Sequence, residues 1–202
     1  MIKGVTSKNS ALLVIDVINS CCHPKCEIKK WNISFNKIRK MVPKLVKFID
    51  KYKKKTKGPV IYINCTKWDK KHLAANINEL YKDPKCRYYS KDKSGFREKF
   101  YGVKPEKDDL IFTKNHYDAF TNLKFVNYLK KKRIKYLIVA GVFGDGCVDA
   151  TITGGFSKGF NFVILKDLIE TTDVKIRQDI QKLLKKYTWP TMFGKTIDSK
   201  EF

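Results

Sequence analysis

Apolar residues along this chain gather in short unbroken runs, separated by longer stretches in which they recur at helical spacing. Residues 11–17 (ALLVIDV), 60–65 (VIYINC), 109–113 (DLIFT), 137–140 (LIVA) and 160–165 (FNFVIL) have the length and β-branched content of buried strands. After the first run, Ile38, Met41, Val42, Leu45, Ile49 and Tyr52 line one side of a helix. Ser34 stands where an N-cap belongs, and Pro43 predicts a kink or two abutting segments. Leu123, Val126 and Leu129 mark the inner face of a helix over about 122–133, and Val174, Ile176, Ile180, Leu183 and Leu184 mark that of a last one over 173–187. Gly159 closes a helix that starts at Cys147, and the final WPTMFGKTIDSKEF reads as a packed tail. Strands alternating with helices predict an α/β fold: three layers, αβα, around a doubly wound, mostly parallel sheet. No linker divides the chain, so one domain is expected over residues 1–202.

Two stretches break the alternation. Residues 18–31 (INSCCHPKCEIKKW) hold three cysteines and His23, in a spacing that matches no zinc pattern. Residues 66–108 are polar, dotted with aromatics and poorly periodic. A connection that long marks an active-site or interface segment. Asp69 and His72 lie in it, but a D-x-x-H pair without a third ligand does not make a metal site.

Composition narrows the classes. Hydrophobic content of 43% with 13% aromatics excludes a disordered chain. No signal peptide or membrane span is readable, which gives the expectation of a soluble, cytoplasmic protein whose six cysteines stay mostly reduced. The formal charge of +23 could mean a polyanionic partner. The excess is lysine, however, spread along the chain as KYKKKTK, KKKRIK and KLLKK on predicted helix faces. A solvated surface is the expectation, with no specific nucleic acid and no membrane as partner.

The candidate chemistry sits at strand ends. Asp16 closes the first strand, Lys114 follows the third, and Cys147 follows the fourth across a tight connection punctuated by Gly141, Gly144 and Gly146. In a parallel sheet these ends face one crevice, where residues far apart in sequence meet. A thiol at a helix start feels unpaired backbone N–H groups and the positive end of the helix dipole, both of which favour thiolate. With Asp16 as proton acceptor and Lys114 as positive charge, the three residues allow covalent hydrolysis.

ALLVIDVIN, TKNHYDAF and AGVFGDGCVDAT, in that order and at those separations, resemble the three signature stretches of the isochorismatase-like cysteine hydrolases. That family includes nicotinamidases, N-carbamoylsarcosine amidohydrolases and ureidoacrylate amidohydrolases. The resemblance runs from about residue 10 to 172 and takes in GFNFVILKD. It implies a six-stranded parallel sheet, a catalytic triad of Asp16, Lys114 and Cys147, and a cis peptide between Val142 and Phe143. It also implies an oxyanion hole from the backbone N–H groups of Phe143 and Cys147, and a homo-oligomer. The chain departs from the family's common QNDF after Asp16, reading Ile18-Asn19-Ser20-Cys21, and INCTKWDKKH lacks the Asp-x-His metal pattern of nicotinamidases. The expectation is therefore a hydrolase without metal or other cofactor, acting on a C–N bond of a small amide, carbamoyl or ureido substrate. Trp31, Tyr117, Phe120 and Phe143 are the expected apolar pocket. A catalytically silent binding protein, a metal-dependent nicotinamidase and a basic nucleic-acid-binding module stay open as alternatives.

Overall fold

The computed structural model describes residues 2–86 and 88–202. Six strands form one sheet, in the order β3-β2-β1-β4-β5-β6, and every neighbouring pair is parallel. They are β1 (Ser10–Ile15), β2 (Val60–Cys65), β3 (Leu110–Lys114), β4 (Tyr136–Val142), β5 (Asn161–Glu170) and β6 (Gly194–Ile197). Every residue of β1 is buried, and so is β4 beyond Tyr136, as an apolar run in a sheet covered on both faces requires. Edge strand β3 instead alternates between exposed and covered positions until it reaches the buried Lys114.

Helices cover both faces, giving the αβα layering. On one side α2 (Asn36–Thr56) packs Ile38, Met41, Leu45 and Ile49 against Leu12, Val14 and Ile138. On the other, α4 (Leu123–Lys131) and α5 (Asp149–Phe156) set Phe125, Leu129 and Ile152 against Leu13, Ile15 and Val139. Two short helices, α1 (Asn19–Cys22) and α3 (Ala75–Leu80), lie in the connections, and α6 (Lys175–Leu183) precedes the last strand. Among the described residues, no helix is long and apolar enough to cross a membrane.

Several local expectations are corrected. Pro43 sits inside one helix, α2, on its exposed side, where water can satisfy the carbonyl that the proline leaves without a partner. Ser34 is not the cap. The Asp173 carboxylate accepts from the Asn36 and Lys37 amides at 2.8 and 3.1 Å and from the Ser34 hydroxyl at 2.8 Å, so the helix start is held by a residue from the far end of the chain. Leu123 is 73% exposed, and the inner face of α4 is Phe125, Val126 and Leu129. Ile176 and Leu183 on α6 are 64% and 63% exposed. Its inward side is polar instead: Gln181 and Gln178 both donate to the Glu170 carboxylate, at 2.6 and 3.1 Å. The C-terminal stretch supplies a strand, β6, which pairs with β5. Strand β5 is longer than its apolar run because the pairing with β4 shifts register between Ile164 and Ile169. Asp167 lies within the strand and accepts from the amide and hydroxyl of Ser199, each at 2.7 Å.

Candidate active site

The strand order reverses direction between β1 and β4, and in an open α/β sheet the crevice forms at that switch, beyond the carboxyl ends of the strands. Asp16 leaves β1 there with φ of 52°, a left-handed conformation uncommon outside glycine and best tolerated by Asn and Asp. Its amide donates to Ile63 O and its carbonyl accepts from the Ile18 amide, each at 2.8 Å. That turn is made possible by Gly141 on the neighbouring strand, where φ is +125° and a Cβ would lie 2.2 Å from the Ile15 carbonyl oxygen.

After β4, the Val142–Phe143 peptide is cis. The Phe143 carbonyl accepts from the Gly146 and Val148 amides at 3.0 and 3.1 Å. This closes a wide turn, Gly144–Val148, which presents Cys147 immediately before α5. Gly146 departs from helical geometry inside the turn. Lys114 comes from the end of edge strand β3 and reaches across beneath the crevice.

The structure brings Asp16, Lys114 and Cys147 together, and adds a fourth residue. Lys114 Nζ stands 2.8 Å from Asp16 Oδ2, 3.4 Å from Cys147 Sγ and 3.1 Å from Cys65 Sγ. It also donates to the His116 carbonyl at 3.1 Å. The Cys65 thiol donates to Asp16 Oδ1 at 3.2 Å. Oδ2 has no directed hydrogen bond; its contact with the ammonium is an ion pair held by charge and proximity. Burial works against the Lys114 charge, but the Asp16 carboxylate and the two sulfurs outweigh it and hold the ammonium well above the ordinary lysine range. Contact with the Cys147 sulfur, then burial and the Asp16 charge, push the Cys65 thiol well above the usual cysteine value. Cys65 is therefore a proton donor within this cluster.

Asp16, Cys65 and Cys147 are also the one group of metal-ligating types that comes together among the described residues, their ligand atoms within 4.8 Å of one another. The Lys114 ammonium contacts all three, so a cation already stands where a metal would bind. Asp69 and His72 answer each other instead, Oδ1 to Nδ1 at 2.7 Å. In the CCHPKC stretch, Cys21, Cys22 and Cys26 are buried, and the His23 ring packs edge-on against Phe96.

A cavity of about 600 Å³ opens onto Cys147 and Cys65. Trp31, Tyr117 and Phe143 line it, together with Trp68, Tyr81 and Tyr88 from the long 66–108 connection. Arg97 lines it too and donates to the Tyr88 hydroxyl at 2.5 Å. At the rim, Arg177 pairs with Asp145 through Nε and Nη2 at 2.6 and 2.8 Å and lies over the Phe143 ring. Phe120, expected in the pocket, is not part of it. It is 2% exposed and packs against Phe125 and Phe160 beneath α5, because Gly155 leaves room for its ring there. Cys65 and the pocket residues of the long connection were not singled out from sequence. For Cys65 the signal was present, since it ends β2 as Lys114 ends β3.

A buried thiol, carboxylate and ammonium at the switch point of a doubly wound sheet are consistent with a cysteine-hydrolase mechanism. The chain belongs to the isochorismatase family, whose domain model matches residues 10–201. Over 100 residues it is 27% identical to the ureidoacrylate amidohydrolase RutB of Yersinia enterocolitica, covering 50% of this chain and 42% of that protein. It is 26% identical over 78 residues to the uncharacterized isochorismatase family protein YddQ of Bacillus subtilis, covering 39% and 43%. The aligned stretches thus span less than half the length of these curated relatives. A cysteine hydrolase from Pseudomonas syringae pv. phaseolicola superposes with a TM-score of 0.80 at 20% identity, over 98% of this chain and 92% of that one. The N-carbamoylsarcosine amidase of Thermoplasma acidophilum gives 0.70 at 18% identity, over 96% and 98%. These likenesses establish the fold, and family membership joined to the clustered Cys/Asp site supports hydrolase activity in general.

Proposed function

We propose that this protein is a cysteine amidohydrolase that cleaves a C–N bond of a small amide, carbamoyl or ureido substrate through a thioester at Cys147. The observation that carries the reading is the position of Lys114 Nζ, buried between the Asp16 carboxylate and the Cys147 sulfur. Asp16 takes the Cys147 proton while Lys114 keeps positive charge beside the sulfur that becomes anionic. The thiolate attacks the substrate carbonyl, and the backbone N–H groups of Phe143 and Cys147 receive the oxyanion. Asp16 returns the proton to the leaving nitrogen, the C–N bond breaks, and the acyl group remains on sulfur. Asp16 then activates water to hydrolyse the thioester. No metal takes part in this scheme, because the centre of the ligand cluster is filled by the lysine. The amidohydrolase names borne by relatives support the substrate class, and the aromatic lining of the cavity suits a small planar group.

The test is a panel of small amides, ureas and N-carbamoyl compounds assayed for ammonia or amine release, with intact-mass detection of acyl-enzyme. An adduct mapping to Cys147, absent in Cys147→Ala, is the expected result. Turnover that persists in Cys147→Ala would falsify the reading.

A further inference from the structure

Cys65 has no part in that scheme, yet it touches every member of it. Its sulfur is held by Lys114 at 3.1 Å, its proton points to Asp16 Oδ1 at 3.2 Å, and its sulfur lies within 4.8 Å of that of Cys147. Both thiols line the same cavity, each with 7% of its surface exposed. We propose that Cys65 and Cys147 form a peroxide-reactive dithiol, in which Cys65 resolves oxidised Cys147 as an intramolecular disulfide and so stops the enzyme reversibly. The inference rests on Cys147 being a reactive thiolate, and not on which bond the enzyme hydrolyses.

The steps balance with hydrogen peroxide as oxidant. The Cys147 thiolate, its proton held by Asp16, attacks one peroxide oxygen; an S–O bond forms, the O–O bond breaks, and the departing hydroxide takes that proton from Asp16 to become water. The sulfur loses two electrons and becomes a sulfenic acid. Cys65 then gives its proton to Asp16, the acceptor it already faces, and attacks the Cys147 sulfur. The S–S bond forms, the S–O bond breaks, and the departing hydroxide takes the proton from Asp16. Two thiols and one peroxide yield one disulfide and two waters. Burial and its neighbours keep Cys65 protonated in the resting enzyme, so Cys65 enters the reaction at its second step. The two sulfurs must still close from their resting separation to about 2.05 Å. Cys21 lines the same cavity, but its side-chain contact is to the Ser20 hydroxyl at 3.6 Å, and among the described residues no base lies within hydrogen-bond reach of it.

The experiment exposes the whole protein to stoichiometric hydrogen peroxide, blocks free thiols with iodoacetamide, and maps the digest by mass spectrometry before and after dithiothreitol. The expected product is one peptide pair joined through Cys65 and Cys147, lighter by two hydrogens, with labelling of Cys147 lost and then restored by reductant. In Cys65→Ser, peroxide raised to at least two equivalents, one for each oxygen added, should drive Cys147 to the sulfinic acid, a gain of two oxygens that dithiothreitol does not reverse. Two results would overturn the inference: over-oxidation of Cys147 in the unsubstituted protein with no joined peptides, or a disulfide to Cys21 or Cys22. The unsubstituted protein alone decides the matter if Cys65→Ser does not fold. Failure of the functional reading looks different: Cys147 would resist both iodoacetamide and peroxide.

Discussion

Lys114 Nζ lies 2.8 Å from Asp16 Oδ2, and neither side chain has any solvent exposure. Breaking such a pair from one side strands a charge in the interior, which costs roughly 3–5 kcal/mol. Lys114→Met should therefore lower stability by about that amount, read as a shift in the urea midpoint at unchanged slope. Adding Asp16→Asn to that variant, which removes the stranded charge in a residue that tolerates the left-handed φ, should recover much of the loss while leaving the protein inactive. A double variant less stable than Lys114→Met would show that the pair is not coupled in this way.

Alkylation should distinguish the thiols. Iodoacetamide is expected to label Cys147 before Cys21, Cys22 and Cys26, which are buried as Cys147 is, because thiolate reacts far faster than thiol. Asp16→Asn should remove turnover, since an amide cannot accept the proton, and Lys114→Ala should lower kcat by several orders of magnitude. Preferential labelling of Cys21 with an inert Cys147 would sink the assignment and leave the fold untouched.

Asp173 ties the start of α2 to the far end of the chain. Asp173→Ala should cost about 1–2 kcal/mol, as for other lost helix caps. Burial opposes ionisation of this carboxyl, but the Lys37 amide, Ser34 and Asn36 more than compensate and hold it below the ordinary value of 3.8. A depressed folded-state value means the contribution is complete above the unfolded range and fades as pH falls through the folded one. Thermal melts across pH 2 to 5 should therefore show a flatter acid limb in Asp173→Asn than in the unsubstituted protein. Parallel limbs would refute the cap's electrostatic part.

Two glycines separate clash from conformation. Gly141 and Gly159 both have positive φ, but a Cβ on Gly141 would meet the Ile15 backbone, while one on Gly159 meets nothing within 4 Å. Gly159→Ala should cost roughly 1–2 kcal/mol, and Gly141→Ala should prevent a stable fold. Equal melting temperatures for the two variants would contradict the close approach of β4 to β1.

The surface charge should act without selectivity. Binding to duplex DNA is expected to weaken steeply with added salt and to ignore sequence. Sequence-selective binding that survives physiological salt would reinstate a nucleic-acid role.

The sheet was legible because its inner strands are fully buried, which forces unbroken apolar runs such as LLVI and LIVA. Asp16, Lys114 and Cys147 were legible for a related reason: charged or reactive residues ending such runs have one crevice in which to meet. Cys65 was passed over because a cysteine looks like any small apolar residue at a strand end, and only the contact with Lys114 distinguishes it. The inner side of α6 was misread because periodicity reveals that a helix has two faces, not which one turns inward. There Gln178 and Gln181 meet Glu170, and the leucine and isoleucines face out. Strand β6 escaped notice because an edge strand needs only a partly buried pattern, and GKTI offers little.

The pairing of β1 with β4 also bears on how the protein comes to be. Leu12 lies opposite Val60 on one side and Ile138 on the other, so the middle of the sheet is joined by contacts between distant parts of the chain. Long-range parallel pairings are late and slow events in folding. Until β4 docks, Cys147 and Asp16 belong to separate pieces of structure, and Lys114 has not yet been brought to the sulfur. In the mechanism proposed for this site, the chain would therefore acquire its reactive thiolate only once β1 and β4 are paired.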